Sequence, residues 1–548
     1  MKNLWFAIIG IAVLGIGVSS CGGSEDMGDS AINLVPENSM MVVGFDIKSM
    51  MNKADMDAVK QMDFYQDMIA EVAAEMGEAM AKALENPEKS GLDLEKKAFF
   101  FLDMKGEDDG LAGITFKIAN QADFEKLVNE AEVTIEKGKG FQFTVDGEKV
   151  VAWSETEGFF GGRIGGFDND ESAGDMLESL FSKKASIVEN RNAAKALNGK
   201  HDINYYFSSA TLVDMFSEEL AMGELFISKN DLKNNSFSGF TDFNDGELIT
   251  KMDIELSDGL KSDLKMIFAE GSTTDFSKYI PKKDLGMLMT GKINFAGINQ
   301  LLKDKSASGL ANKQLNAAGL TTDDIANAID GDMAFAVNMK KDNEEPNIMM
   351  MLQLGDRKAF GEILNKMEAL GMIQQESDDT YIVGNYSTPS AKIFIDGDVL
   401  IFTDNLEHLS KIEKGKLSSS ETVSKAIYKK AGGVLGFYMD YSALSLNRYV
   451  LGSIADFSKG MDAMELSIGW KESLYRSTMK DKSKNTLKGL IENMNEAYKE
   501  SNRYDYEGEI EEVTEDYNWE EDGSWEAEEE ADWEEEAEEE SGEGFEFE

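Results

Sequence analysis

Two histidines, one cysteine and 104 acidic residues are the side chains through which this 548-residue chain could do chemistry. His201 and His408 each stand in charged or loop-like sequence, and no Gly-x-Ser-x-Gly elbow presents a serine to either. With Cys21 alone, no disulfide can form within the chain, and a Cys/His zinc site lacks ligands. A carboxylate pair for glycoside hydrolysis needs only suitable spacing, which so many acids always supply, so the spacing carries no information. Gly161-Gly162-Arg163-Ile164-Gly165-Gly166 lacks the Lys-Ser/Thr of a phosphate-cradling loop. Asp168-Asn169-Asp170-Glu171-Ser172 opens like a calcium loop, but its sixth position is Ala173 and its twelfth Ser179. The 31 methionines, Met349-Met350-Met351 and Met76 with Met80 among them, fall at strand or helix spacing and read as core filler. No catalytic residue, cofactor or metal ligand is assigned.

The cysteine has a more definite setting. Lys2 precedes an apolar run from Leu4 to Val18, which ends in Val18-Ser19-Ser20-Cys21. A short positive region, an apolar stretch and small residues before a cut describe a secretory leader, 1–20. The run is too short and too rich in glycine for a spanning helix. Val18 to Cys21 resembles the [LVI]-[ASTVI]-[GAS]-Cys box of bacterial lipoprotein signals. That resemblance implies cleavage before Cys21 and lipidation of Cys21. Each buried methylene contributes ~0.8 kcal/mol, so two or three chains anchor stably. The expected partner is therefore the membrane, through the lipid anchor. Gly22-Gly23-Ser24-Glu25-Asp26 resembles the surface-export signal of Bacteroidota lipoproteins. The expected location is the outer membrane, facing the periplasm or the outside.

The elements that would position any site repeat along the chain. Lys97-Ala98-Phe99-Phe100-Phe101-Leu102-Asp103-Met104-Lys105 aligns with Asp332-Met333-Ala334-Phe335-Ala336-Val337-Asn338-Met339-Lys340. Ile114–Ile118 then aligns with Met350–Leu354, and Phe124, Leu127 and Val128 with Phe360, Ile363 and Leu364, one buried helix face each. Val145-Asp146-Gly147-Glu148 pairs with Ile395-Asp396-Gly397-Asp398, and Tyr205 to Leu212 with Phe437 to Leu444. The Asp-Gly pairs at 146, 245 and 396 predict hairpins through type I′ turns. On this alignment copy 1 carries extra residues, assigned to Phe159–Phe167 and to Asp168–Asp175. It also has a longer helix-like stretch with Met56, Val59, Met62, Ile69, Val72 and Leu84. Insertions in one copy are places for a specific role.

Charge closes off other readings. The chain has 54 Lys+Arg against 104 Asp+Glu, a formal net charge of −50, which argues against nucleic acid as a partner. Its 42% hydrophobic residues suffice for more than one core. Residues 505–548 hold 24 acids and no Lys or Arg, so that segment is expected to be disordered. Trp519, Trp525, Trp533, Phe545 and Phe547 stand among the acids, a pattern suited to a cationic protein partner.

Val35-Pro36-Glu37-Asn38-Ser39-Met40-Met41-Val42-Val43-Gly44-Phe45-Asp46-Ile47-Lys48-Ser49-Met50 is similar to the opening of a Bacteroidota lipoprotein family, domain of unknown function 4836. The resemblance covers about Asn33 to Tyr498 and carries no established activity. The fold expected is α+β: two tandem related domains, each an antiparallel sheet packed with helices on one side, plus a disordered acidic tail. The boundaries are leader 1–20, lipidated linker 21–33, repeats 34–275 and 276–498, and tail 499–548. The function expected is a non-enzymatic binding or scaffold module anchored at the envelope. The alternatives are a carboxylate-based glycan hydrolase with its site at 159–175, and a calcium-responsive adhesin.

Overall fold

Strand alternation and the Asp-Gly turns set the hairpins. In this computed structural model residues 30–507 are described, apart from 77, 107–108, 131–132, 148, 166–171, 183–184, 216–228, 270, 342–343, 386–387 and 446–458. The chain divides into two units, 1–500 and 501–548. In the second, only the end of the helix Thr486–Glu507 is described.

The first unit is built on one continuous antiparallel sheet of twenty strands. Its first half supplies β1 (Met41–Phe45), β2 (Ala98–Met104), β3 (Gly110–Lys117), β4 (Glu136–Lys137), β5 (Gln142–Asp146), β6 (Lys149–Trp153), β7 (Glu157–Ile164), β8 (Ile203–Ser208), β9 (Ser236–Asn244) and β10 (Glu247–Glu255). The second half supplies β11 (Leu285–Lys292), β12 (Ile329–Asn338), β13 (Asn347–Leu354), β14 (Ile373–Ser377), β15 (Thr380–Asn385), β16 (Thr388–Asp396), β17 (Val399–Thr403), β18 (Leu435–Asp440), β19 (Met461–Ile468) and β20 (Glu472–Met479).

Pairing runs 4-5-6-7-3-2-1-8-9-10 in the first half. In the second it runs 14-15-16-17-13-12-11-18-19-20. The halves meet edge to edge where Glu247–Asp253 of β10 pairs with Glu472–Thr478 of β20. The sheet therefore passes across the expected 275/276 boundary without a break.

Helices cover both faces of the outer strands, where one covered face was expected. Phe99 and Phe101 join the core under the helices Ala173–Phe181 and Arg191–Leu197, while Phe100 turns to the opposite core under Ile47–Ala54. A strand apolar on both sides, such as Ala98–Leu102, has to be buried on both. The second half repeats this: Ala334, Ala336 and Met349 lie in one core, and Phe360, Ile363 and Leu364 in the other.

Several local expectations change. Ser30 and Ala31 are buried and Ser30 caps the short helix Ala31–Leu34, so the expected linker 21–33 already belongs to the core at its end. The last helix runs on to Glu507, past the expected tail start at 499. Residues 157–164 are the interior strand β7 between β3 and β6, not an inserted loop. The Asp-Gly pairs at 146 and 396 close different hairpins, β5–β6 and β16–β17, so aligning them displaced the extra residues. Gly246 and Gly397 take positive φ while Asp245 and Asp398 do not, which excludes a type I′ turn at either loop.

The glycines of β3 and β7 make room for rings. A Cβ on Gly158 would lie 2.1 Å from the Phe116 ring, and one on Gly113 would lie 2.3 Å from Phe159. Gly158→Ala is expected to lower unfolding free energy by ~1–3 kcal/mol through overpacking. Gly361→Ala, in the helix Arg357–Ala369 with open space around it, should raise it by up to ~1 kcal/mol. Urea midpoints moving in opposite directions would bear this out; parallel shifts would refute it.

Candidate functional site

The six strands at the middle, β8-β9-β10-β20-β19-β18, have faces of opposite character. Direct pairing puts Asp242, Ile249, Arg476 and Glu465 on one face, together with Ser238 and Asp253 from neighbouring rows. This polar face forms the floor of a cleft of about 520 Å³. Its wall is the helix Arg191–Leu197, started by Asn190, whose side-chain oxygen accepts from the backbone of Asn192 and Ala193. Asn192, Lys195, His201, Phe240, Asp253 and Lys471 are among its lining residues.

His201, in its lining, is held on two sides. Its ring lies flat on Phe240, with centroids 3.5 Å apart and planes 4° apart. Its Nδ1 is 2.8 Å from Asp242 Oδ2, and Nε2 has no hydrogen-bond partner among the described residues. A carboxylate on one imidazole nitrogen fixes ring orientation and leaves the other for a ligand. Sequence reading missed this pair because Asp242 stands 41 positions away on another strand.

Below the ring, Asp202 ties strand ends to helix. Its carboxylate accepts from Ser49 Oγ at 2.5 Å, Lys53 Nζ at 2.6 Å and the Phe243 backbone at 2.6 Å. The Asp202 backbone in turn donates to Asp242. Buried Lys97 donates to Asn204 Oδ1 at 2.6 Å and to the Gly199 carbonyl, which holds the cleft's rear loop.

His408 has a different role. It is buried in the helix Leu406–Glu413, with Nε2 2.7 Å from the Tyr279 carbonyl oxygen. Burial pushes its pKa below the usual value, and the Tyr279 carbonyl only partly offsets this. A second cleft of about 830 Å³ opens nearby, with Lys282, Lys340, Lys341, Lys411 and Glu421 in its lining. Backbone and hydroxyl donors of Ser418, with Lys411, hold the Glu421 pKa at about 2.

The structure separates the other sequence candidates. Cys21, Asp168–Glu171 and the tail aromatics Trp519, Trp525, Trp533, Phe545 and Phe547 lie outside the described residues. Gly161 is inside β7, facing Gly113, so Gly161 to Ile164 pack strand against strand. Met349 and Met351 are fully buried. Among the described residues no cluster of three or more His, Cys, Asp or Glu could hold a metal. Among them, too, no helix is long and apolar enough to cross a membrane.

A family model described as Domain of unknown function (DUF4836) matches residues 32–444. The chain belongs to this family. The match spans both halves of the sheet and stops just after β18, so β19, β20 and the last helix lie beyond the matched region. No curated protein matches the chain. One solved structure that is similar is described as "Structure of crystal form I of TP0453", with 10% identity, 72% of this chain and 100% of that chain covered, and a TM-score of 0.22. A likeness that low carries no argument.

Ion pairs at two depths should differ in strength. Lys53→Met strands the carboxylate of Asp202, whose side chain is 1% exposed, and should cost ~3 kcal/mol. Lys48→Met, whose partner Glu95 is 61% exposed, should cost under ~1 kcal/mol. Equal urea midpoints for the two variants would overturn this. For His408, the unfolded chain takes up a proton below pH ~6.5 that the folded chain resists. Stability should therefore fall as pH drops through that region, and His408→Gln should flatten the slope. Identical slopes between pH 7.5 and 5.5 would rule the histidine out as the source.

Proposed function

We propose that this DUF4836 chain is an envelope lipoprotein, anchored through lipid on Cys21, whose folded body is a non-enzymatic binding module. The observation that carries the reading is the shortness of the tether. Ser30 is already 2% exposed in the core, so the chain between Cys21 and the body spans at most ~30 Å. A lipid at Cys21 then holds the folded body within reach of a membrane surface, where a captured ligand or partner is presented.

Three features support the binding half of the reading. The cleft offers donors and acceptors of both signs around an oriented imidazole, which suits recognition of a polar ligand. The identical pairing order of the two ten-strand runs supports descent from a duplicated domain, in which His201 has no counterpart. The acidic, aromatic 505–548 segment adds a surface for a cationic protein partner. The outer membrane is the compartment this reading names, on either of its faces.

Fractionation of cells expressing the native chain and Cys21→Ala tests the anchor. The native chain should sediment with membranes and the variant should appear in the soluble fraction with equal yield. Retention of the variant in the membrane would sink the anchor. Cross-linking on intact cells tests the module: one recurrent partner or ligand linked at Lys195 or Lys471 is expected, and only scattered links to abundant neighbours would count against it.

A further inference from the structure

The second cleft, beside His408, has a cationic lining that the fold itself does not require. The isolated bridges Pro36↔Ser186 and Pro281↔Thr422 mark corresponding places in the two halves of the sheet. In the first half Glu37 and Asn38 follow the proline. The cavity there is only about 180 Å³, and Arg163 in its lining is paired with Asp109 at 3.1 Å. In the second half Lys282 and Lys283 follow the proline, and the cleft is about 830 Å³. The same corner is thus built in two ways, and only the second has the size of a small-molecule site.

Three elements bring lysines to it. The turn before β11 carries Lys282 and Lys283, the end of β12 leads into Lys340 and Lys341, and the helix Leu406–Glu413 carries Lys411. The turn is pinned from behind. Asn338 Nδ2 donates to the Pro281 carbonyl at 3.0 Å and to the Lys283 carbonyl at 2.9 Å. The Met339 backbone donates to the Asp284 carbonyl at 2.7 Å, and the Lys282 backbone to that of Glu421 at 2.9 Å. Asp284 is held at φ 55°, a conformation a non-glycine residue keeps only where its surroundings impose it. Lys282 and Lys283 therefore project from a fixed backbone.

Most acids of the lining are already engaged. Asp284 lies 3.9 Å from Lys283, and Glu407 and Glu421 lie 3.6 Å and 3.2 Å from Lys411. Lys282, Lys340 and Lys341 form no ion pair among the described residues, and the lining sets one further acid, Glu344, beside them. We propose that this cleft binds a ligand carrying two or more phosphate groups. A phosphate monoester carries about −1.5 to −2 at neutral pH, so two of them match three ammonium groups better than two carboxylates do. A lysine ammonium meets phosphate oxygens as a point charge with three donors, without the planar fit a guanidinium imposes. The proposal concerns a different cleft from that of His201 and needs no lipid anchor.

The test is calorimetric titration of the full-length chain, in nonionic detergent, with inorganic triphosphate. Saturable binding of one equivalent is expected. Lys282 and Lys341 are exposed, so their replacement leaves the core untouched. Lys282→Gln and Lys341→Gln should each weaken binding about tenfold, the effect of losing one charge-assisted hydrogen bond. Added salt should weaken the parent more steeply than either variant. Lys105→Gln, at the position aligned with Lys340, and Lys195→Gln, in the His201 cleft, should bind as the parent does. Cardiolipin added to the micelles separates two sources of phosphate. Displacement of triphosphate would assign the groups to a lipid headgroup and no displacement to a soluble ligand, and both uphold the site. Absence of saturation, more than one equivalent bound, unchanged affinity in both lysine variants, or an equal loss in Lys105→Gln would overturn the proposal. A loss in Lys195→Gln alone would place triphosphate in the His201 cleft and overturn it as well.

Discussion

The seam between β10 and β20 is the constraint on which the rest depends. Seven antiparallel residue pairs, from Glu247↔Thr478 to Asp253↔Glu472, join two ten-strand sheets that would otherwise each end in an open edge. A helix beyond each edge strand then locks it in place. After β10, the helix Asp258–Ile267 crosses to the other half, where Asp263 pairs with Lys305 at 3.2 Å. After β20, the last helix crosses the opposite way. Leu487 and Ile491 pack into the core around Met51 and Tyr65, and Lys488 meets Asp55 at 2.6 Å. The reciprocal straps tie separation of the two halves to the loss of buried apolar contacts as well as sheet hydrogen bonds.

The seam also creates both central surfaces. A single half would present only three of the six strands, β8-β9-β10 or β18-β19-β20. The His201 cleft takes Asp253 and Glu255 from β10 and Lys471 from the turn before β20, so it spans the junction. Because side chains alternate across a strand, the residues of the cleft floor fall on one side of these six strands, and Tyr205, Met252, Ile468 and Leu435 on the other. A one-residue slip at the seam would exchange them, which makes the register of Ile249↔Arg476 as consequential as any single contact.

Local patterns are legible in the sequence, and long-range ones are not. Phe360, Ile363 and Leu364 form the buried helix face their spacing indicates, and the Asp-Gly pairs at 146, 245 and 396 all sit in hairpins. Matching one hairpin to another from the sequence fails, because an Asp-Gly turn reports its own two strands and nothing of their place in a sheet. The glycines of β7 mislead in another way, since glycine is the usual mark of a loop. Here Gly113 and Gly161 face each other across strands so that Phe159 can lie over them. The His201–Asp242 pair and the seam join residues far apart in sequence, and no periodicity encodes such a meeting.

Buried charge explains how so acidic a chain keeps its interior. Some lysines are placed inside: Lys53 on Asp202, Lys97 on backbone carbonyls, and Lys117 beside Glu157 across β3 and β7. Asp332 is fully buried, and although burial opposes its ionisation, the hydroxyl and backbone groups of Thr273 and Thr274 with Lys292 hold its pKa below the usual range. Each such group fixes a strand end to the strand, loop or helix beside it, and a partner removed would leave its mate without solvation. The surplus acids then fall to the surface, where water screens them, and to the sequence of residues 505–548.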